Sequence, residues 1–348
     1  MPREIIHWIV LERAADRAKA AGCPAIAEAI SSHRDAACLG ALLHDVPYYF
    51  RMGKDPFEQV ADWLHGKHSE DTLLPMRKLA SAILSIPPAE RRLLWPFFLG
   101  MLGHIGADVV FHPLVFYFTG NYHDRDPIER RAAQGRHRLF EVYLDAWGRK
   151  RFPSGRSLRI NSLIKRVRSA GLPRYCALLE SLFVPEIVFN TDPLLVHTGQ
   201  AQNRWFRGVH TLGTFQQLFL SPVTGALVRS LNWISRGALF SEAALFSFGR
   251  FGYESFFEAP LRFKAPMGGE EYVCTGDELL EAAIEETLEL FRLFEPFVSG
   301  QHVDVEQRIG GVYGKSLNMG VPHAISEDAS YFAAAGAPLP GLVRTEKR

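Results

Sequence analysis

Cysteine is scarce in this chain: the four present (Cys23, Cys38, Cys176 and Cys274) are scattered and form no CxxC pair. That excludes a disulfide-stapled scaffold and makes a reducing compartment the expectation. Net charge is lacking too, at +1 over 348 residues, so nothing pulls the whole chain toward nucleic acid or acidic membranes and no specific nucleic-acid binding is expected. Alternating strand patterns are rare, and no internal repeat of fixed period is evident. The opening stretch "MPREIIHWIVLERAADR" carries Arg3, Glu4 and Glu12 where a secretion signal needs an apolar core, so the expected location is the cytoplasm. Long apolar runs are missing as well, with one exception.

What the chain does have is helical periodicity. "IIHWIVLERAADRAKAAG" reads as an amphipathic helix stopped by Gly22 and Pro24, and "FEQVADWLHG", "MRKLASAILS" and "RHRLFEVYLDAW" read likewise. Thr275 and Glu278 make a capping-box pattern ahead of "LLEAAIEETLELFRLFEPF". The expected fold is therefore all-α, a multi-helix bundle with a mostly helical C-terminal elaboration. Residues 1–148 are expected to be the chemical unit, with residues 149–325 packed on it and a loose tail over 326–348. The boundary rests on the basic run from Arg149 to Arg174, which contains no acid.

The exceptional apolar run extends from Leu93 to Phe118, long enough to span a bilayer. Pro96, Pro113 and three glycines are expected to break it, which favours a helix buried in a protein core. His104, Asp108 and His112 interrupt the run at four-residue spacing and so line one helical stripe. Burying an unpaired polar group costs several kcal/mol, and a cation offsets that cost. His137 and Glu141 repeat the spacing, with a solvated helix pair as the alternative. His7, the dipeptide His44–Asp45, and His65 or His68 in "WLHGKHSED" complete the candidates. Imidazoles and carboxylates offered from several helices suit a metal cluster inside a bundle. Zinc fits the nitrogen–oxygen mixture, and manganese or iron would also accept it. His33, His197, His210, His302 and His323 are read as ordinary core histidines, and His123 and Asp124 as turn residues.

These motifs resemble the zinc-dependent phospholipases C of bacteria. "HWIVLERAAD" is similar to that family's first ligand helix, and "LHDVPYY" to its loop bearing a metal-binding aspartate. "FFLGMLGHIGADVVFHPL" resembles its H-x-x-x-D helix with a further ligand histidine, and "RHRLFEVYLD" its H-x-x-x-E helix. The resemblance covers residues 4–147. It implies that Asp45, His65, His104 and Asp108 hold one ion, that His112, His137 and Glu141 hold a second, and that His7 binds a third with Asp108 as bridge. His68 is the alternative to His65. In the family a processed N-terminal residue completes the third site. This chain starts six residues before His7, so a two-metal site, or a third one completed by His44, stays open. The implied activity is hydrolysis of a phospholipid or another phosphodiester, with Asp45 as general base and water activated by two or three metals.

Two further enzyme readings compete. "ALLHDV" resembles the HD-domain phosphohydrolases, which would use His44 and Asp45 with His7 upstream. Single-strand nucleases share the trinuclear zinc design. The non-enzyme alternative is a metal-stabilised helical protein that binds a partner or lies peripherally on a membrane. Its support is the stretch 219–257, where apolar residues alternate with Arg229, Arg236 and Arg250. A core-packed helix pair is the favoured reading of that stretch.

Overall fold

A computed structural model describes residues 4–50, 57–151, 158–169, 171–191, 203–220, 223, 230, 253–301 and 303–333. Arg229, Arg236, Arg250, His197, His302 and residues 334–348 lie outside the described residues. The fold is helical, with fifteen α-helices and one short hairpin among the described residues. In order they are α1 (Glu4–Ala18), α2 (Pro24–Ser32), α3 (Arg34–Gly40), α4 (Val46–Tyr49), α5 (Glu58–Leu64), α6 (Leu73–Leu84), α7 (Pro88–Arg91), α8 (Trp95–Thr119) and α9 (Pro127–Arg149). Then come α10 (Ile160–Val167), α11 (Leu172–Thr191), α12 (Arg204–Leu220), α13 (Tyr253–Glu258), strands β1 (Leu261–Lys264) and β2 (Glu271–Cys274), α14 (Gly276–Val298) and α15 (Val305–Ile309).

Helix α8 is the axis of the molecule, a 25-residue helix with all but a few side chains buried. It is the one described helix long and apolar enough to cross a membrane, and 89% of its apolar window is covered by the rest of the protein. α1, α3, α9 and α14 pack around it. Each fully buried Leu, Phe or Val contributes about 1.5–3 kcal/mol, so a helix apolar all round is stable only inside such a sheath.

The expectation that proline and glycine break this run is corrected: α8 continues through Pro113. Pro96 falls in the first turn, where no intrahelical partner is lost. The glycines serve packing: a Cβ on Gly100 would sit 2.1 Å from the Ala37 carbonyl oxygen, and one on Gly106 2.1 Å from Thr287 Oγ1. Without side chains there, α3 and α14 press directly against the axis.

The capping box forms as read: the Thr275 backbone N–H donates to Glu278 Oε2 at 2.7 Å, and the Glu278 N–H donates to Thr275 Oγ1 at 3.2 Å. The antiparallel pair β1–β2, with Phe263 opposite Tyr272, falls where no strand was expected; four-residue strands are too short for alternation to register. One hydrophobic core runs from Ile6 to Leu317, joining both halves of the chain. In the basic run, Arg151 pairs with Asp277, Arg166 with Asp35 and Arg174 with Glu90, so these cations are used within the fold. His210 and His323 are exposed and so are not core histidines.

Candidate metal centre

Several of the elements that carry candidate ligands are held by specific hydrogen bonds or turns, some local and some from distant parts of the chain. The Asp145 carboxylate, one turn beyond Glu141 on α9, accepts from the Ile5 and Ile6 N–H groups at 3.3 and 3.2 Å. It satisfies orphan donors at the start of α1 and so fixes His7 in the second turn. α9 itself begins with Asp126 accepting from Ile128 N–H at 2.8 Å, with Pro127 at the first helical position. α5 ends at His65, where Gly66 takes φ +68° and turns the chain. The loop bearing His44 and Asp45 is held from the second half, because Trp205 Nε1 donates to the Leu43 carbonyl at 3.0 Å.

His7, Asp45, His65, His104, Asp108, His112, His137 and Glu141 are all buried, and they converge. Three sets bring their ligand atoms within 4.8 Å of one another: His7 with His104 and Asp108, Asp45 with His65 and His104, and His112 with His137 and Glu141. Asp108 sits between them. Its Oδ2 lies 2.9 Å from His104 Nε2 and 3.5 Å from His65 Nε2, and its Oδ1 lies 3.5 Å from His112 Nε2 and 3.6 Å from His7 Nε2. His137 Nε2 is 3.1 Å from Glu141 Oε1, so this pair is no solvated surface contact. His68 is exposed and belongs to none of the three sets, which leaves His65 as the member of that loop in the cluster.

The tautomers are dictated. His65 Nδ1–H donates to the Ala61 carbonyl at 2.7 Å, His104 Nδ1–H to Ala41 at 2.9 Å, and His112 Nδ1–H to Leu317 at 3.0 Å. A carbonyl oxygen only accepts, so the proton is on Nδ1 in each ring. Each Nε2 then presents a lone pair to carboxylate oxygens that are also acceptors, an arrangement that needs a positive charge between them. Protons are one source: although burial opposes it, the Asp108 and Asp45 carboxylates push His65 up to about 10. They raise His104 too, against the same burial. Three imidazoliums with ring centres 5.7 and 6.4 Å apart would repel one another, and burial together with His104 already pushes His7 down to about 4. Divalent cations satisfy the same lone pairs without that repulsion. Imidazole Nε2 with its Nδ1–H tied to a backbone carbonyl is also how metal-binding histidines are held. The donor set therefore fits zinc.

His44 is fully buried beside the cluster. Its ring stacks on His104 at 4.8 Å and 4°, and neither nitrogen has a hydrogen-bond partner. Burial drives its pKa well below the ordinary value, so it is neutral. Asp45 falls within one of the three sets and His44 within none.

The outer side of the cluster opens into a cavity of about 450 Å³, a size suited to a small-molecule headgroup. Asp45, His65, His112, His137 and Glu141 reach it. Tyr48, Tyr122, His123, Arg138 and Asn318 also line it, none of them a site candidate from the sequence, where His123 reads as a turn residue. Only Tyr48 carried a signal, as part of the Pro-Tyr-Tyr motif. His123 does sit in a turn, its N–H donating to Asn121 Oδ1 at 2.9 Å, yet its ring is buried against the cavity.

The described residues thus form a helical scaffold with a buried histidine–carboxylate cluster, able to hold metal, under an open cavity. Residues 6–175 match the family described as zinc dependent phospholipase C, and this part of the chain is a domain of that family. No curated protein and no solved structure gave a match.

Proposed function

We propose that the chain is a zinc-dependent phosphodiester hydrolase acting on phospholipid-type substrates. The observation that carries this reading is the set of Nε2 lone pairs aimed at Asp45, Asp108 and Glu141 beneath the cavity. Asp45, His65 and His104 would hold one ion and His112, His137 and Glu141 a second, with one Asp108 oxygen facing each. His104 has a single free lone pair and serves one set only. His7 would then have only Asp108 as a companion for a third ion.

Divalent ions at paired sites supply Lewis acidity, neutralise phosphoryl charge and bring the pKa of water toward neutrality. The remaining work falls to the chain. Asp45 Oδ2 has no hydrogen-bond partner and is free to accept the proton of the attacking water. Arg138 places a permanent cation at the cavity wall. Burial pushes Tyr122 up to about 12, so its hydroxyl stays protonated and available as a donor to a phosphoryl oxygen. Water oxygen attacks phosphorus, the bond from phosphorus to the alcohol oxygen breaks, and the alcohol leaves with a proton. For a glycerophospholipid that alcohol is a diacylglycerol.

The test is hydrolysis of a phospholipid by purified protein of measured zinc content. Chelation is expected to abolish it and added zinc to restore it. Asp45→Asn is expected to lower the rate about 10²–10⁴-fold while most of the zinc stays bound, and His44→Ala to do much less. Equal and total loss in both variants would favour the HD-type chemistry of His44 and Asp45.

A further inference from the structure

The segment 312–326 lies well outside residues 6–175, yet it runs along the loop that carries His65. Tyr313 OH donates to the Ser69 carbonyl at 2.5 Å, and Thr72 Oγ1 donates to the Lys315 carbonyl at 2.7 Å. Ser69 N–H donates to the Ala324 carbonyl at 3.0 Å, and Ser326 N–H to the Lys67 carbonyl at 2.8 Å. In the middle of this ladder one peptide residue touches two candidate ligands: Leu317 N–H donates to the His65 carbonyl at 2.9 Å, and the Leu317 carbonyl accepts His112 Nδ1–H at 3.0 Å. The next side chain, Asn318, is buried, donates to Ser326 Oγ at 3.0 Å and reaches the cavity.

Two non-glycine residues in left-handed conformation, Ser69 at φ 67° and His323 at φ 59°, stand at the two sides of the ladder. Such conformations persist only where the surroundings over-determine them. The seat of the segment on α8 is equally specific. Pro113 removes the N–H that would bond the Val109 carbonyl, and Gly320 at φ +74° comes so close that a Cβ there would lie 2.7 Å from that oxygen.

We infer that residues 312–326 form a positioning strap whose Leu317 peptide sets the orientation of His112 and the placement of His65, and thereby the metal affinity of the cavity-facing side of the cluster. The inference rests on the metal reading above. Leu317 and Gly320 lie outside the cavity lining and act through the two histidines; Asn318, at the cavity edge, ties the strap to Ser326. The strap holds the tautomer of His112, as outer-shell partners of metal-ligating histidines do.

The full-length chain carrying Gly320→Val or Asn318→Ala tests this, with zinc alone as the probe. Gly320→Val lifts the strap from α8, and Asn318→Ala removes its tie to Ser326 without touching its backbone. Competition with a chelator is expected to show one zinc site weakened roughly 10–100-fold, with cobalt-substituted protein showing an altered visible spectrum. A purely structural strap would lower the melting temperature of both variants and leave zinc affinity and the cobalt spectrum at parental values, which overturns the inference. Where Gly320→Val fails to fold, Asn318→Ala decides by the same measure. Parental protein that binds no zinc refutes the metal reading. The strap is then judged by nitrogen NMR of His112, whose Nδ1–H form is expected in the parent and lost in the variants; an unchanged ring state overturns it.

Discussion

The two ends of the cluster are built differently. At the inner end His7, His104 and His44 stack face to face, at 4.2 and 4.8 Å, and the crevice that His7 shares with Asp108, His112 and Glu141 has only about 20 Å³, room for a water molecule and little else. At the outer end His65, His112 and His137 meet at the floor of the 450 Å³ cavity. The inner histidines come from α1, α8 and the turn before α4. Of the outer ones, His65 terminates a helix and His112 relies on a carbonyl more than two hundred residues away. The stacked imidazoles leave no room for a ligand between them, whereas the outer histidines border a cavity large enough for a headgroup-sized molecule.

Asp108 joins the two ends, and its removal should break the distinction altogether. Asp108→Ala leaves four imidazoles without their shared carboxylate. Loss of one partner from a buried charged set costs about 3–5 kcal/mol, and lost metal adds to that. Zinc analysis and a melting curve should both register the change; full zinc content with parental melting would remove Asp108 from the centre. His7→Ala against His137→Ala sharpens the comparison next. With two ions, His137→Ala should weaken one zinc by about 10-fold or more and depress hydrolysis, whereas His7→Ala should leave the zinc count at two. A drop from three zinc ions to two in His7→Ala would establish a third site at the inner end.

The smallest effect concerns pH at the outer rim. Burial lowers His123 to about 3, from 6.5 in the unfolded chain. Between those values the unfolded chain takes up a proton that the folded chain refuses, so stability falls as pH drops below 6.5. The slope is at most about 1.4 kcal/mol per pH unit, and His123→Phe should remove it. Acid unfolding curves that superimpose for parent and variant would place the ring in contact with solvent.

Legibility in the sequence tracked the spacing of the contacts. His104, Asp108 and His112 could be read because one helix sets all three by its 3.6-residue period, and His137 with Glu141 for the same reason. The helical class was legible from periodicity, and the α14 capping box from two residues. Pro113 misled because a proline inside a helical pattern ordinarily ends it, and only the close approach of Gly320 to the Val109 carbonyl gives that carbonyl its setting. His65 against His68 was undecidable, since both stand in one polar loop and only the turn at Gly66 sorts them. His123 read as a turn residue because its backbone is one; its ring was placed by Phe116, Tyr122 and Asn318.

By itself, then, the sequence determined which residue types stand on which helix face, because i, i+4 geometry is local and needs no partner. It determined that a buried helix carries acid and imidazole that require compensation. Tertiary structure alone decided which nitrogen of each ring is free, since the carbonyls of Ala41, Ala61 and Leu317 choose the tautomer, and two of those three come from another element. It alone decided that Trp205 and Leu317, in stretches without any motif, hold the loop of Asp45 and the ring of His112. A backbone carbonyl has no residue-specific signature, so a site oriented by carbonyls takes its final form only when the chain has folded around it.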